Sequence, residues 1–153
     1  MGECLMIVFD NKYKFDKKDT LKHIVLPFKL NEDFNKLIIN FKYSPSITPN
    51  KIARPIINEA VDKYIPDDNR FKEMYWYIDN IQLENLITTS LFHDGYYVGG
   101  WHNKSNNQKI KISKLYSSLG YEKHNITKGH YKVVLSIHSV NCEVESSLKV
   151  EVI

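Results

Sequence analysis

Four residues that could bind a metal ion or move protons near neutral pH form the candidate chemistry of this chain. His93, Asp94 and His102 flank the stretch from Gly95 to Trp101, and His138 falls in a later apolar run. Imidazole nitrogens and a carboxylate oxygen are ordinary ligands of zinc and similar divalent ions. This set is the sequence's candidate metal site and its one route to metal-dependent hydrolysis, although the spacing matches no established ligand motif. A second set, Tyr97, Gly99, Gly100, Trp101, His102 and Tyr121, places aromatic rings beside two glycines, with Tyr96 and Tyr116 close by in sequence. Such rings can line a groove that stacks on a sugar or another small molecule. The plainer reading is a tryptophan that fills the core, with glycines relieving the crowding around it.

Other chemistries lack their residues. The chain has no Gly-x-Ser-x-Gly elbow, no Ser-His-Asp or Cys-His order and no glycine-rich phosphate loop. Asp94, Glu122, Glu143 and Glu145 do not pair in a way that suggests glycoside cleavage.

The elements that must position these residues read mostly as strands. Residues 4–9 (CLMIVF) form a short apolar run, expected as a strand covered on both faces. The polar stretch that follows, with Tyr13 and Phe15 around Lys14, suits a hairpin partner or a surface loop. Pro27, within His23–Leu30, removes a ladder donor and points to an edge or a bend. Leu37, Ile39, Phe41 and Tyr43 alternate with Lys36, Ile38, Asn40 and Lys42, the mark of a strand with one face in the core. From Ile52 the period changes. Ile52, Ile56, Ile57, Ala60, Val61, Tyr64 and Ile65 predict an amphipathic helix at about 53–65, with Pro55 in its first turn. Residues 70–84 are ambiguous, and the rings of Tyr75, Trp76 and Tyr77 are expected to fill the seam between helix and sheet. Leu86 to Phe92 is a strand, His93-Asp94-Gly95 a turn and Tyr96-Tyr97-Val98 a short strand. Lys109 to Ser113 alternates, and Gly120 to Thr127 is a loop holding Tyr121 and His124. The strands through Tyr131–Ile137 and Val144–Val150 are expected to pair as an antiparallel hairpin.

Seven or eight short strands at close intervals with one helix argue for an antiparallel β-sandwich, jelly-roll-like or immunoglobulin-like, as one domain over residues 1–153. The strand pattern is common to both orders. Composition agrees, because Tyr and Phe are plentiful, at 10 and 7 residues, which favours strands. No apolar run approaches the roughly 18 residues needed to span a bilayer, so no membrane partner is expected. The start of the chain does not read as a signal peptide, and a cytoplasmic setting follows. The net charge of +3 comes from 21 basic residues interleaved with 18 acidic ones. Short clusters such as Lys17-Lys18 are not a continuous stripe, so no nucleic-acid partner is expected either. Cys4 and Cys142 match no metal spacing, and a bridge between them would tie the first strand to the last.

Several stretches together resemble a known family. LPFKL…FNKLIINFKY, NLITTSLFHDGYYVGGWHN, ISKLYSSLGY and ITKGHYKVVLSIHSV…SSLKVEV are similar to the β-sandwich domain that precedes the catalytic domain in some bacterial PHP-type metallophosphoesterases (PHP abbreviates polymerase and histidinol phosphatase). The resemblance spans roughly residues 23–152. Its most distinctive part is the order NLIT-S, Gly95, Gly99, Gly100-Trp101-His102, IS, GY and KGHY. The family's metal site begins with a His-x-His pair in a downstream domain. The six histidines here, at 23, 93, 102, 124, 130 and 138, contain no such pair. The resemblance therefore implies an accessory or binding module without the enzyme, with no cofactor of its own unless a divalent metal binds the His/Asp set. Its partner would be a separately encoded phosphoesterase, or a second copy in a homo-oligomer formed through edge strands. A metal-dependent hydrolase and a carbohydrate-binding sandwich stand as the alternatives.

Overall fold

The computed structural model describes residues 4–65 and 79–153. The Tyr75-Trp76-Tyr77 triplet lies outside the described residues. The elements follow in the order β1 (Met6–Phe15), β2 (His23–Leu30), β3 (Lys36–Ser44), α1 (Asn50–Tyr64), β4 (Leu86–His93), β5 (Tyr96–Trp101), β6 (Asn107–Ser113), β7 (Gly129–Ser139) and β8 (Val144–Val152). The strands form two four-stranded antiparallel sheets, β1-β8-β3-β6 and β2-β7-β4-β5. The pairs β1/β8, β2/β7, β3/β6 and β4/β5 nest around the β4–β5 hairpin. One long antiparallel ribbon has in effect been rolled over a core, which is the jelly-roll arrangement of a β-sandwich.

Each strand forms because alternate residues have apolar chains to bury. Leu37, Ile39, Phe41 and Tyr43 of β3 point inward, and so do Leu148, Val150 and Val152 of β8. From the other sheet they meet Ile87 and Leu91 of β4 and Tyr131, Val133, Leu135 and Ile137 of β7, all in one continuous cluster. Each fully buried aliphatic chain contributes about 1.5–3 kcal/mol.

This packing changes one sequence expectation. β7 and β8 are consecutive, yet they lie in opposite sheets and do not pair as a hairpin. Each buries only one face, so packing face to face across the core satisfies both, while their edges pair with β2, β4, β1 and β3. The start of the chain also differs. β1 runs on through Tyr13 to Phe15, and it is an edge strand rather than one covered on both faces: Leu5, Met6 and Ile7 are exposed. A single 3-10 turn at Lys17–Asp19, capped through Asp16, leads into β2. Pro27 lies on β2, the edge of the second sheet, where its missing donor is tolerated.

The helix begins three residues earlier than the apolar stripe predicts. Pro55 therefore sits inside it, beyond the first turn. Its buried line is Ala53 and Ile57, extended by Val61 and Ile65 against Leu83. Ile52 and Tyr64 are exposed. This small cluster is separate from the sandwich core.

Between β4 and β5, Asp94 and Gly95 both have positive φ, 46° and 81°. This is the Asp-Gly pattern of a type I′ hairpin turn. The connection after β6 runs back along two free strand edges. Ser118 N–H donates to the Lys111 carbonyl, Gly100 N–H to Gly120, and Glu122 N–H to Val98. It closes the sandwich on the β5/β6 side. On the other side, β1 and β2 remain the outer strands of their sheets.

Both cysteines are free. Cys4 precedes the Met6–Val152 end of the β1/β8 ladder and Cys142 precedes its Phe15–Val144 end. At about 3.3 Å per residue these ends lie roughly 30 Å apart, well beyond the reach of a disulfide. No helix among the described residues is long and apolar enough to cross a membrane.

Candidate functional site

The densest group of titratable side chains gathers where β4 ends. His93 is the last residue of β4 and faces inward, 8% exposed and stacked on Tyr131 at 4.0 Å between ring centres. Its Nδ1 lies 2.8 Å from Nε2 of His124, which arrives from the loop after β6. Its Nε2 is buried and has no hydrogen-bond partner; Asp94 Oδ2 faces it at 3.4 Å. Placing the proton on Nε2, toward that carboxylate, leaves Nδ1 to accept from His124. The second oxygen of Asp94 accepts the His130 backbone N–H. Around His124, the Tyr96 ring stacks on the imidazole, and the Tyr96 hydroxyl donates to Glu122 at 2.6 Å.

Gly129 is what lets these groups meet. Its φ is +154°, and a Cβ there would stand 2.6 Å from His93 Nε2 and 2.7 Å from Asp94 Oδ2. Burial lowers the His124 pKa and the neighbouring His93 ring adds to the effect, with Glu122 opposing both. Burial raises the Tyr131 hydroxyl, and Asp94 pushes it the same way. The arrangement can pass or store one proton between two imidazoles.

The four predicted metal ligands are not brought together. His93 and Asp94 belong to this inward-facing end. His138 lies on the outer side of the sheet, with Nε2 2.8 Å from Thr88 Oγ1. His102 follows Trp101, which pairs with Thr89. From His93 back to Thr88 and Thr89 is about 13–17 Å along β4. Burial lowers the His138 pKa, and the neighbouring His102 and His23 rings act in the same direction. Among the described residues, no three His, Cys, Asp or Glu side chains come together in a way that would hold a metal ion.

The predicted ligand set divides in the same way. Tyr97, Gly100 and His102 share the outer face, where a Cβ on Gly100 would meet the Tyr97 hydroxyl and His102 Nε2. Tyr121 is buried, and its hydroxyl bonds Thr89. The space beside Gly99 is filled by Gly120 and Tyr121, with the Gly120 carbonyl 2.4 Å from where a Cβ would stand. Trp101 packs against the core, and its indole N–H donates to Asn103. Gly99 therefore admits the chain's own loop, while Gly100 makes room for Tyr97 and His102 on the outer face.

Two features escaped the sequence reading. Gln108 is fully buried and ties the sheets together, accepting from Thr89 and donating to the Ile87 and Ser105 carbonyls. An alternating strand with a single glutamine at an inward position was its only signal. The other is the seam between the two outer strands, a 230 Å³ hollow lined by Val8, Phe9, Asn11 and Tyr13 of β1 and Leu26, Pro27 and Phe28 of β2. Phe9 and Phe28 meet edge to face in it at 5.8 Å. Comparison with protein-family models and with curated proteins found no match to this chain.

Proposed function

We propose that this chain is a non-catalytic binding module, similar to the sandwich domain attached to PHP-type phosphoesterases, and that it takes its partner as a strand added along β1. The observation that supports this reading is the open seam. The β5 and β6 edges are closed by the chain itself and β2 carries Pro27, whereas β1 offers a ten-residue edge beside an aromatic hollow. Exposed edges of this kind recruit extended segments through main-chain hydrogen bonds, with side chains seated in adjacent pockets.

The partner is a second copy or a separately encoded phosphoesterase, and the sequence of β1 favours the second copy. Phe9-Asp10-Asn11-Lys12-Tyr13 is self-complementary. Antiparallel pairing about Asn11 sets Asp10 opposite Lys12 and Phe9 opposite Tyr13 of the other copy, twice over by symmetry. A cytoplasmic setting is part of the proposal, in keeping with two unpaired thiols.

Light scattering on the purified chain tests the pairing. The native protein is expected as a dimer, Asp10→Lys and Lys12→Asp as monomers, and the double variant as a dimer again because the charges still oppose. A native monomer, or a dimer indifferent to the single variants, would exclude this edge and register. Turnover of p-nitrophenyl phosphate or its diester, with manganese or zinc added and lost on His93→Ala, would overturn the non-catalytic reading.

A further inference from the structure

The outer face of the β1-β8-β3-β6 sheet collects positive charge from four strands. Across its middle run two rows set by the strand register: Lys12, Ser147, Lys42 and Asn107, then Asp10, Lys149, Asn40 and Lys109. The flanking rows add Lys14 beside Glu145, Lys111 beyond Glu151, and Lys36. Seven lysines thus stand against four carboxylates, Glu143 beside Lys14 included, a net +3 on one face, as much as the whole chain carries.

Three carboxylates are already engaged. Glu143 and Glu145 lie 3.7 and 3.4 Å from Lys14, and Glu151 lies 2.9 Å from Lys149 and also accepts from Asn40. Asp10 acts on Lys149 at longer range. Lys12, Lys36, Lys42, Lys109 and Lys111 have no carboxylate within 4 Å among the described residues. Between them lie two adjoining shallow hollows of 510 and 350 Å³, which share Lys42 and Ser147; Glu145 lines the first, and Asp10 and Glu151 line the second beside Lys42, Lys109 and Lys149.

We propose that this face binds a linear phosphate polymer through its backbone charge. Lysine is a point-charge partner for phosphate. Lys111 and Lys109 stand about 6.6 Å apart on β6, Lys109 and Lys42 about 7–8 Å apart diagonally on adjacent strands, and Lys12 lies in line with Lys42 about 9.5 Å away, across Ser147 of β8. Recognition is independent of bases, because no aromatic side chain projects from these rows to stack on them. A membrane surface fits less well. Ile38 on this face is buried, and the exposed Ile7 stands at the rim, away from the lysine rows that would meet the headgroups. The polymer is a nucleic-acid backbone or inorganic polyphosphate, two sources of one chemistry.

Fluorescence anisotropy with labelled oligothymidylate and oligoadenylate, with polyphosphate as competitor, tests the site. Binding at low salt is expected, equal for the two oligonucleotides. A log–log salt slope of about −2 to −3.5 corresponds to three to five released counterions. Displacement by polyphosphate, or polyphosphate binding alone, supports the site and identifies the source. Lys42→Glu with Lys109→Glu, both at exposed positions, should weaken binding about tenfold or more at low salt without moving the thermal melt. Lys29→Glu, on the other sheet, should change nothing. Binding of neither polymer, binding indifferent to the double variant, a preference between the two bases, or capture only by phosphatidylserine vesicles would each overturn the proposal.

Discussion

Replacing His124 with glutamine keeps a donor opposite His93 Nδ1 but removes the group that titrates. The native bond, 2.8 Å between ring nitrogens, needs one bare nitrogen and one N–H. A second proton on the pair sets two N–H groups against each other, and the bond is lost. Because the folded His124 pKa is lowered by burial and by His93, the folded protein binds fewer protons than the unfolded chain below about pH 6.5, the ordinary imidazole value. Its stability is therefore full above that pH, and falls as pH drops through the depressed folded value. For a single imidazole the loss down to about pH 5 is at most about 2 kcal/mol, and solvent around the partly exposed His124 reduces it further. For a chain of this length that ceiling is a loss of roughly 4–8 °C in Tm. Thermal unfolding followed from about pH 8 to about pH 5 is the assay. Near pH 8 the native protein and His124→Gln should lie within about 1 kcal/mol of each other. Near pH 5 the native protein should have lost more stability than the variant, by at most about 2 kcal/mol, the linkage ceiling for one imidazole kept neutral that far below its ordinary value. His138 is also lowered, by burial and by His102 and His23, and titrates in the same window. His138→Gln run in parallel isolates its share. Equal pH slopes for the native protein and His124→Gln would refute the reasoning.

Gly99→Ala should be among the most damaging single changes. Its Cβ would stand 2.4 Å from the Gly120 carbonyl and 2.5 Å from the Tyr121 Cα, at φ +150°. A loss of about 3 kcal/mol or more in urea unfolding is expected, and a loss below about 1 kcal/mol would mean that the loop does not sit against β5. Gly129→Ala should displace Asp94 and His93 and so remove the pH dependence of His124→Gln relative to native, read in the same melts. Cys4 and Cys142 should react as two free thiols after unfolding without reductant, and a thiol titre near zero would contradict the ladder that separates them.

How far the sequence showed the fold depends on the range of each signal. The alternation at Leu37–Tyr43 and Tyr131–Ile137, the Asp94-Gly95 turn and the edge position of Pro27 were all legible, because each follows from a residue and its near neighbours. The helix was legible as an element but not in its face. Ala53 and Ile57 bury because Leu83 returns to meet them, and an apolar stripe cannot announce which part of it will be met. The histidines misled for a similar reason. His93 and His102 are close in sequence but lie near opposite ends of a hairpin, whereas His93 and His124 are joined only because the loop after β6 folds back along β5.

By itself, then, the sequence determined the alternating strands such as β3 and β7, their inward faces and the sandwich class, though not the extent or exposed face of β1, since a period of two is written in successive residues and water removes apolar surface wherever it occurs. It also determined that charge is interleaved along the chain. The tertiary structure decided which strands neighbour one another, and with that which side chains add up. Lys12, Lys42, Lys109 and Lys149 are scattered through the sequence, yet they stand on one face because β1, β3, β6 and β8 were drawn into a single sheet to cover the core. Electrostatic potential sums over distance in space and not along the chain, so a surface that reads as mixed charge residue by residue becomes a basic face only after folding.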